Sequence, residues 1–138
     1  MLARVVFFML LLSAGDAVLG MSYAFRVSIS GRLDAPITFE FYGNSTTRVK
    51  TDIESFGIAA RTSDHEWKPV WSIYEGRRVT QPIQYGLTPP GFTTRIAPQR
   101  LHPGQVYTAF ASDGHGGHAS MYFRFQKDGA ITFPDSPD

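Results

Sequence analysis

Apolar residues return at every second position in one segment after another of this chain. Tyr23, Phe25, Val27 and Ile29 alternate with Ala24, Arg26 and Ser28. Ile37, Phe39 and Phe41 alternate with Thr38, Glu40 and Tyr42. A period of two places the apolar set on one face of a strand, so both runs predict half-buried strands. Gly31 to Pro36 and Gly43-Asn44-Ser45 supply the turns between them. From Thr46 to Arg61 the period slips: Val49, Thr51 and Ile53 share one phase and Phe56, Ile58 and Ala60 the other, which predicts a bulge or tight bend near Ser55. After a polar break at Thr62 to His65, the residues Trp67, Pro69, Trp71 and Ile73 share one parity, with Pro69 marking an edge or a strand's start. A short strand over Val79 to Tyr85 follows, then an irregular proline-rich stretch from Gly86 to Pro98. Val106 to Ser112, Ala119 to Gln126 and Ala130 to Phe133 predict three closing strands. Lys127-Asp128-Gly129 carries the Asp-Gly signal of a tight hairpin between the last two. No stretch of ten or more residues free of Gly and Pro has helical periodicity, so the expectation is an all-β fold, a sandwich or barrel.

The first twenty residues follow another rule. Arg4 precedes an unbroken apolar run from Val5 to Leu12, and small residues follow at Ser13, Ala14, Gly15, Ala17 and Gly20. This is the three-part layout of a secretory signal peptide, with cleavage expected after Ala17 or Gly20. The run is far shorter than the roughly 20 residues of a membrane-spanning helix. The expected organisation is therefore a signal peptide over residues 1–20 and one β-sandwich domain over 21–138, exported to the periplasm or beyond the cell.

Composition narrows the chemistry. The chain has 138 residues, 43% hydrophobic and 14% aromatic, with 13 Gly, 9 Pro and a net charge of +1. That is enough apolar material for a packed core, and the charge lacks the basic excess of a nucleic-acid binder. There is no cysteine, which excludes disulfides, thiolate metal sites and a cysteine nucleophile.

Two resemblances arise from particular residues. Leu101-His102-Pro103-Gly104-Gln105-Val106-Tyr107 resembles the L-x-P-G-x-x-Y corner of fibronectin type III and related immunoglobulin-like sandwiches. In such a corner Pro and Gly make the turn, Leu dips into the core, and the tyrosine hydroxyl bonds to backbone a few residues upstream. The segments Pro69 to Ile73, Ile83 to Gly86, Pro90 to Phe92, the corner, and Phe123 to Phe125, taken in order, resemble small bacterial exported proteins of unknown function, often lipoproteins. That resemblance implies an envelope protein and supplies no activity. Leu11 to Gly15 also looks like the stretch before a lipidated cysteine, but Asp16 comes next, so no lipid anchor is expected by that route.

Candidate chemistry is sparse. Asp113-Gly114-His115-Gly116-Gly117-His118 sets two imidazoles and a carboxylate in a glycine-rich loop that could wrap Zn²⁺ or Cu²⁺, or simply join two strands. No G-x-S-x-G elbow or H-E-x-x-H motif occurs, and no acid–base carboxylate pair stands out, so no enzymatic activity is expected. Trp67, Trp71, Tyr74, Tyr85 and Phe92 mark an aromatic middle of the kind that binds sugar or peptide, with Trp71 expected in the core; Arg77, Arg78, Arg95 and Arg100 add a modest basic patch that would suit an acidic or anionic partner. Asn44-Ser45-Thr46 matches a glycosylation acceptor and is read as turn chemistry. The leading expectation is an exported, non-enzymatic domain that binds a protein or another envelope component. The alternative is a periplasmic metal-handling domain using His115 and His118.

Overall fold

The computed structural model describes residues 18–21, 25–43, 51–79 and 82–138. Among them lie ten strands and no helix: β1 (Val18–Met21), β2 (Phe25–Ser30), β3 (Thr38–Gly43), β4 (Ile53–Arg61), β5 (Trp67–Val79), β6 (Ile83–Gln84), β7 (Phe92–Ile96), β8 (Val106–Ser112), β9 (His118–Phe125) and β10 (Ile131–Thr132). They form two antiparallel sheets, β1-β2-β3-β6 and β10-β9-β8-β4-β5-β7. The chain makes the β2–β3 hairpin, crosses to the second sheet for β4 and β5, and returns to set β6 beside β3. It then crosses again to place β8 between β4 and β9. Reading β2, β3, β4, β5, β6, β8 and β9 as strands A, B, C, C′, E, F and G gives the order of an immunoglobulin-like sandwich. β1, β7 and β10 are additions at the sheet edges.

The alternation in the sequence fixes the inner faces. Phe25, Val27 and Ile29 of β2 and Phe39 and Phe41 of β3 are buried, and their polar neighbours are not. Across the gap, Phe56 is the hub: its ring lies 4.8 Å from Phe39, 5.4 Å from Phe41 and 5.8 Å from Trp71. Edge-on aromatic contacts of this kind add to the burial of the rings themselves. In β8 and β9 the inward set is Tyr107, Ala109, Ala111, Ala119, Met121, Phe123 and Phe125. Small residues on β8 leave room for the phenylalanines of the facing sheet.

The corner has its tyrosine tied back. Tyr107 is buried and its hydroxyl accepts a hydrogen bond, 2.7 Å, from the His102 backbone N–H. Leu101 is buried, Gly104 turns at φ +82°, and the Gly104 N–H donates to Phe125 O at 2.8 Å.

Three details depart from the alternation. The slip near Ser55 is a register shift between Ile53 and Ser55, and a second shift falls between Ile58 and Ala59, where β5 carries one residue more than β4. That extra residue reverses the parity of β5, so Trp71 and Ile73 point inward while Trp67 does not share their face. Pro69 stands in an interior strand, tolerated because β7 pairs with β5 only from Ser72 onward and no second ladder reaches the proline. The stretch read as irregular contains β7: its buried Phe92 is followed by exposed Thr93, Thr94 and Arg95, so an edge strand shows no apolar period. Tyr23, the Asn44-Ser45-Thr46 turn and the signal segment up to Ala17 lie outside the described residues.

Candidate binding surface

Consider the face of the six-stranded sheet turned away from the core. Its positions follow from the register: Gly57, Ala59 and Arg61 on β4, Thr108 and Phe110 on β8, Ser120 and Tyr122 on β9, Ser72 and Tyr74 on β5. Such a face normally carries solvated polar side chains. Here it carries rings.

Trp67 and Tyr122 stack, with centroids 5.8 Å apart and planes 11° apart. They come from β5 and β9, which are separated by β4 and β8. Strands lie about 4.8 Å apart, so these two backbones stand roughly 14 Å from one another. The rings meet only by leaning over the strands between them. What lies beneath is Ala59 paired with Thr108, and the two are 3% and 9% exposed although both face away from the core. A residue larger than Ala59 would lift the stack. The Arg61 guanidinium sits 5.1 Å from the Trp67 ring centre, a cation–π contact. Arg61 also donates through Nε and an Nη nitrogen to the Asp138 carboxylate, which His65 contacts at 2.9 Å. These two partners hold the Asp138 carboxyl below the usual carboxylate range, His65 having the larger effect.

Further along the strands, Phe110 lies over Gly57. A Cβ on that glycine would stand 2.4 Å from Phe110 Cζ, so the absent side chain is what lets the ring lie flat on the strand. Phe110 keeps 41% of its surface exposed and Tyr74 42%. Arg95 covers the Tyr74 ring at 4.5 Å. At the foot of this region Ser72 Oγ is buried with no hydrogen-bond partner among the described residues. The rings span seven residues of β4, from Ser55 to Arg61, six steps or about 20 Å at about 3.4 Å per step. No family model, curated protein or solved structure matches this chain. The surface therefore has to be read from its own chemistry.

That chemistry is the kind protein interfaces use: aromatic rings and arginines on a rigid sheet, with little rotamer freedom left to lose on binding. Of the aromatic residues expected to act together, the structure brings Trp67 and Tyr74 to this face. Phe92 is 8% exposed and belongs to the core. Tyr85 packs against Trp71 at 5.1 Å and its hydroxyl donates to Gln99 O at 2.5 Å, at the far side of the sheet from the rings just described. Burial, aided by the neighbouring Tyr107 phenol, pushes its pKa up to about 12. Arg77 and Arg78 belong to β5, but their side chains lie outside the described ones. Of the other two arginines expected with them, Arg95 lies on this face over Tyr74 and Arg100 lies at the corner, while Arg61 joins the face over Trp67.

The histidine loop joins β8 to β9. Asp113 closes it: its carboxylate accepts from the N–H groups of His115 (2.7 Å) and Gly117 (2.9 Å), and its own N–H donates to Gly117 O at 3.0 Å. Gly114 and Gly116 both have positive φ, and Glu54 lies directly against Gly114. Among the described residues no group of three or more His, Cys, Asp or Glu side chains could hold a metal ion. Nor is any described helix long and apolar enough to cross a membrane.

Proposed function

We propose that this chain is an exported, non-enzymatic binding domain of the bacterial cell envelope, and that it engages a protein partner through the outer face of its six-stranded sheet. The observation that carries the reading is the outward set of rings: Phe110 and Tyr74 exposed, beside the Trp67–Tyr122 stack and its arginine. Large apolar groups exposed together on a rigid face are a mark of an interaction site. Aromatic residues and arginine are the types that dominate interface energetics. Export is supported by the layout of residues 1–20. The pairing of β1 with β2 supports cleavage after Ala17, because a cut after Gly20 would remove three of its four residues.

A photoreactive phenylalanine analogue at position 110, in the chain expressed with its own leader, tests both parts. The expected result is a light-dependent adduct with one envelope protein, on material whose N-terminus is Val18. The adduct should be lost when Tyr74→Ser and Trp67→Ser are added. Adduct formation indifferent to those substitutions, or an intact Met1 in cytoplasmic protein, overturns the reading.

A further inference from the structure

At the corner end of the sandwich, away from the ring-bearing face, four segments enclose a cleft of about 680 Å³. They are the β2–β3 turn, β6 with Tyr85, the corner at Arg100 to Pro103, and the β9–β10 turn at Lys127 to Gly129. Its volume falls in the range of small-molecule sites, about 300–1,000 Å³. The walls are braced against each other. Arg32 bridges to Ala130, the Leu33 N–H donates to Gly129 O at 3.0 Å, and the Arg32 guanidinium donates to Asp128 O. Gly31, at φ +115°, holds the turn so close that a Cβ there would stand 2.2 Å from Pro36 O. The cleft is thus a preformed space, not a gap between mobile loops.

Its lining divides into two parts. Ile37 and Leu101 form an apolar floor, with Leu33 and Pro103 on the walls. The charged rim has two cations and two acids. Asp34 pairs with Arg32 at 3.4 Å, and the Asp128 carboxylate accepts from the Ala130 N–H at 3.0 Å. Arg100 and Lys127 have no ion-pair or hydrogen-bond partner among the described residues. Both acids are already engaged while both cations are not, so the rim is set for an incoming negative charge. Guanidinium and ammonium donors to a carboxylate form the stronger, charge-assisted class of hydrogen bond.

We infer that this cleft binds an amphiphilic organic anion, with its carboxylate between Arg100 and Lys127 and its hydrocarbon part over Leu33, Ile37 and Leu101. Octanoate is the probe. Titrated into the ¹⁵N-labelled protein, it should give saturable amide shifts confined to Leu33 to Ile37, Gln84 to Tyr85, Arg100 to His102 and Lys127 to Gly129. Affinity should fall about tenfold or more in an Arg100→Gln/Lys127→Gln variant, whose exposed side chains leave the fold intact. Octylammonium, with the same tail and opposite charge, should not saturate. Acetate, with the charge and no tail, should bind at least about tenfold more weakly, since it has no methylenes to bury on the apolar floor. The inference is overturned by shifts that map elsewhere or fail to saturate, by equal binding of octylammonium or acetate, or by an undiminished affinity in the double variant.

Discussion

Replacing Tyr107 by Phe removes one oxygen atom from the centre of the corner and nothing else. The ring stays against Phe123, 5.5 Å away, and Phe125, 6.4 Å away, so no cavity is created. What is lost is the bond from the His102 N–H. A neutral hydrogen bond contributes a net of about 0.5–1.5 kcal/mol, and a buried donor left without a partner costs about 1–3. One effect works the other way. The phenol's own proton has no acceptor among the described residues, so its removal relieves a poorly solvated donor. The expected loss is therefore in the lower part of the range, about 1–2 kcal/mol. With a urea dependence near 2 kcal/mol per molar, the unfolding midpoint should fall by about 0.5–1 M. Tyr42 is a poor control because its hydroxyl donates to the Glu40 carboxylate. Tyr122→Phe is better: it keeps the stack on Trp67 and should stay within about 0.5 kcal/mol of the parent. If Tyr107→Phe melts with the parent while Tyr107→Ala costs the usual 3–5 kcal/mol, approximately, of a buried aromatic, the ring alone matters and the corner bond is idle.

Other outcomes follow from single contacts. Gly57→Ala should push the Phe110 ring off the strand while leaving stability within about 1 kcal/mol of the parent, because the residue gains from a less flexible unfolded chain; partner capture should fall although the urea midpoint does not. Gly114→Ala should destabilise by more than Gly116→Ala. Both pay the left-handed backbone penalty of about 1–2 kcal/mol, but only the first new methyl meets Glu54; equal losses in urea melts would dismiss the Glu54 contact. The phenol of Tyr85 is held protonated by burial to about pH 12, and burial raises the Tyr107 phenol too. The stabilisation this represents is complete below the ordinary phenol pKa of 10.0 and is lost as pH climbs through the folded value. Phenolate absorbance should therefore appear in two stages, with the late stage accompanied by unfolding and absent in Tyr85→Phe/Tyr107→Phe protein.

The inner faces were legible in the sequence because burial on one side of a strand imposes a period of two, as in Phe25 to Ile29 and Ile37 to Phe41. The slip near Ser55 was legible for the same reason. Trp67 was misread with Trp71 because one extra residue, inserted where Ile58 gives way to Ala59, flips the strand without any residue type announcing it. Phe110 gave no signal because the inward positions around it are Ala109 and Ala111, whose small size is dictated by the facing phenylalanines and not by exposure. β7 has an open edge and so no period to read. The cleft draws on four segments from Leu33 to Gly129 that only the folded chain brings together, and no local pattern encodes it.

The central ladder of the six-stranded sheet has a consequence in time. β4 pairs with β8, joining Ala60 to Tyr107 and Ser55 to Ser112, roughly fifty residues apart, and the bridge from Arg32 to Ala130 joins residues about a hundred apart. Pairings this distant in sequence must overcome the entropy of closing a long loop before any contact rewards it, which places such sandwiches among the slow folders. During synthesis β4 and β5 can meet early, but the edge of β4 that receives β8 stays open until most of the chain has emerged. Were the proposed export to run through a channel that admits only unfolded chains, that delay would keep the polypeptide threadable. The same delay leaves the backbone N–H and C=O groups along that edge of β4 open to pairing with other chains, so yield should depend on how quickly β8 reaches it.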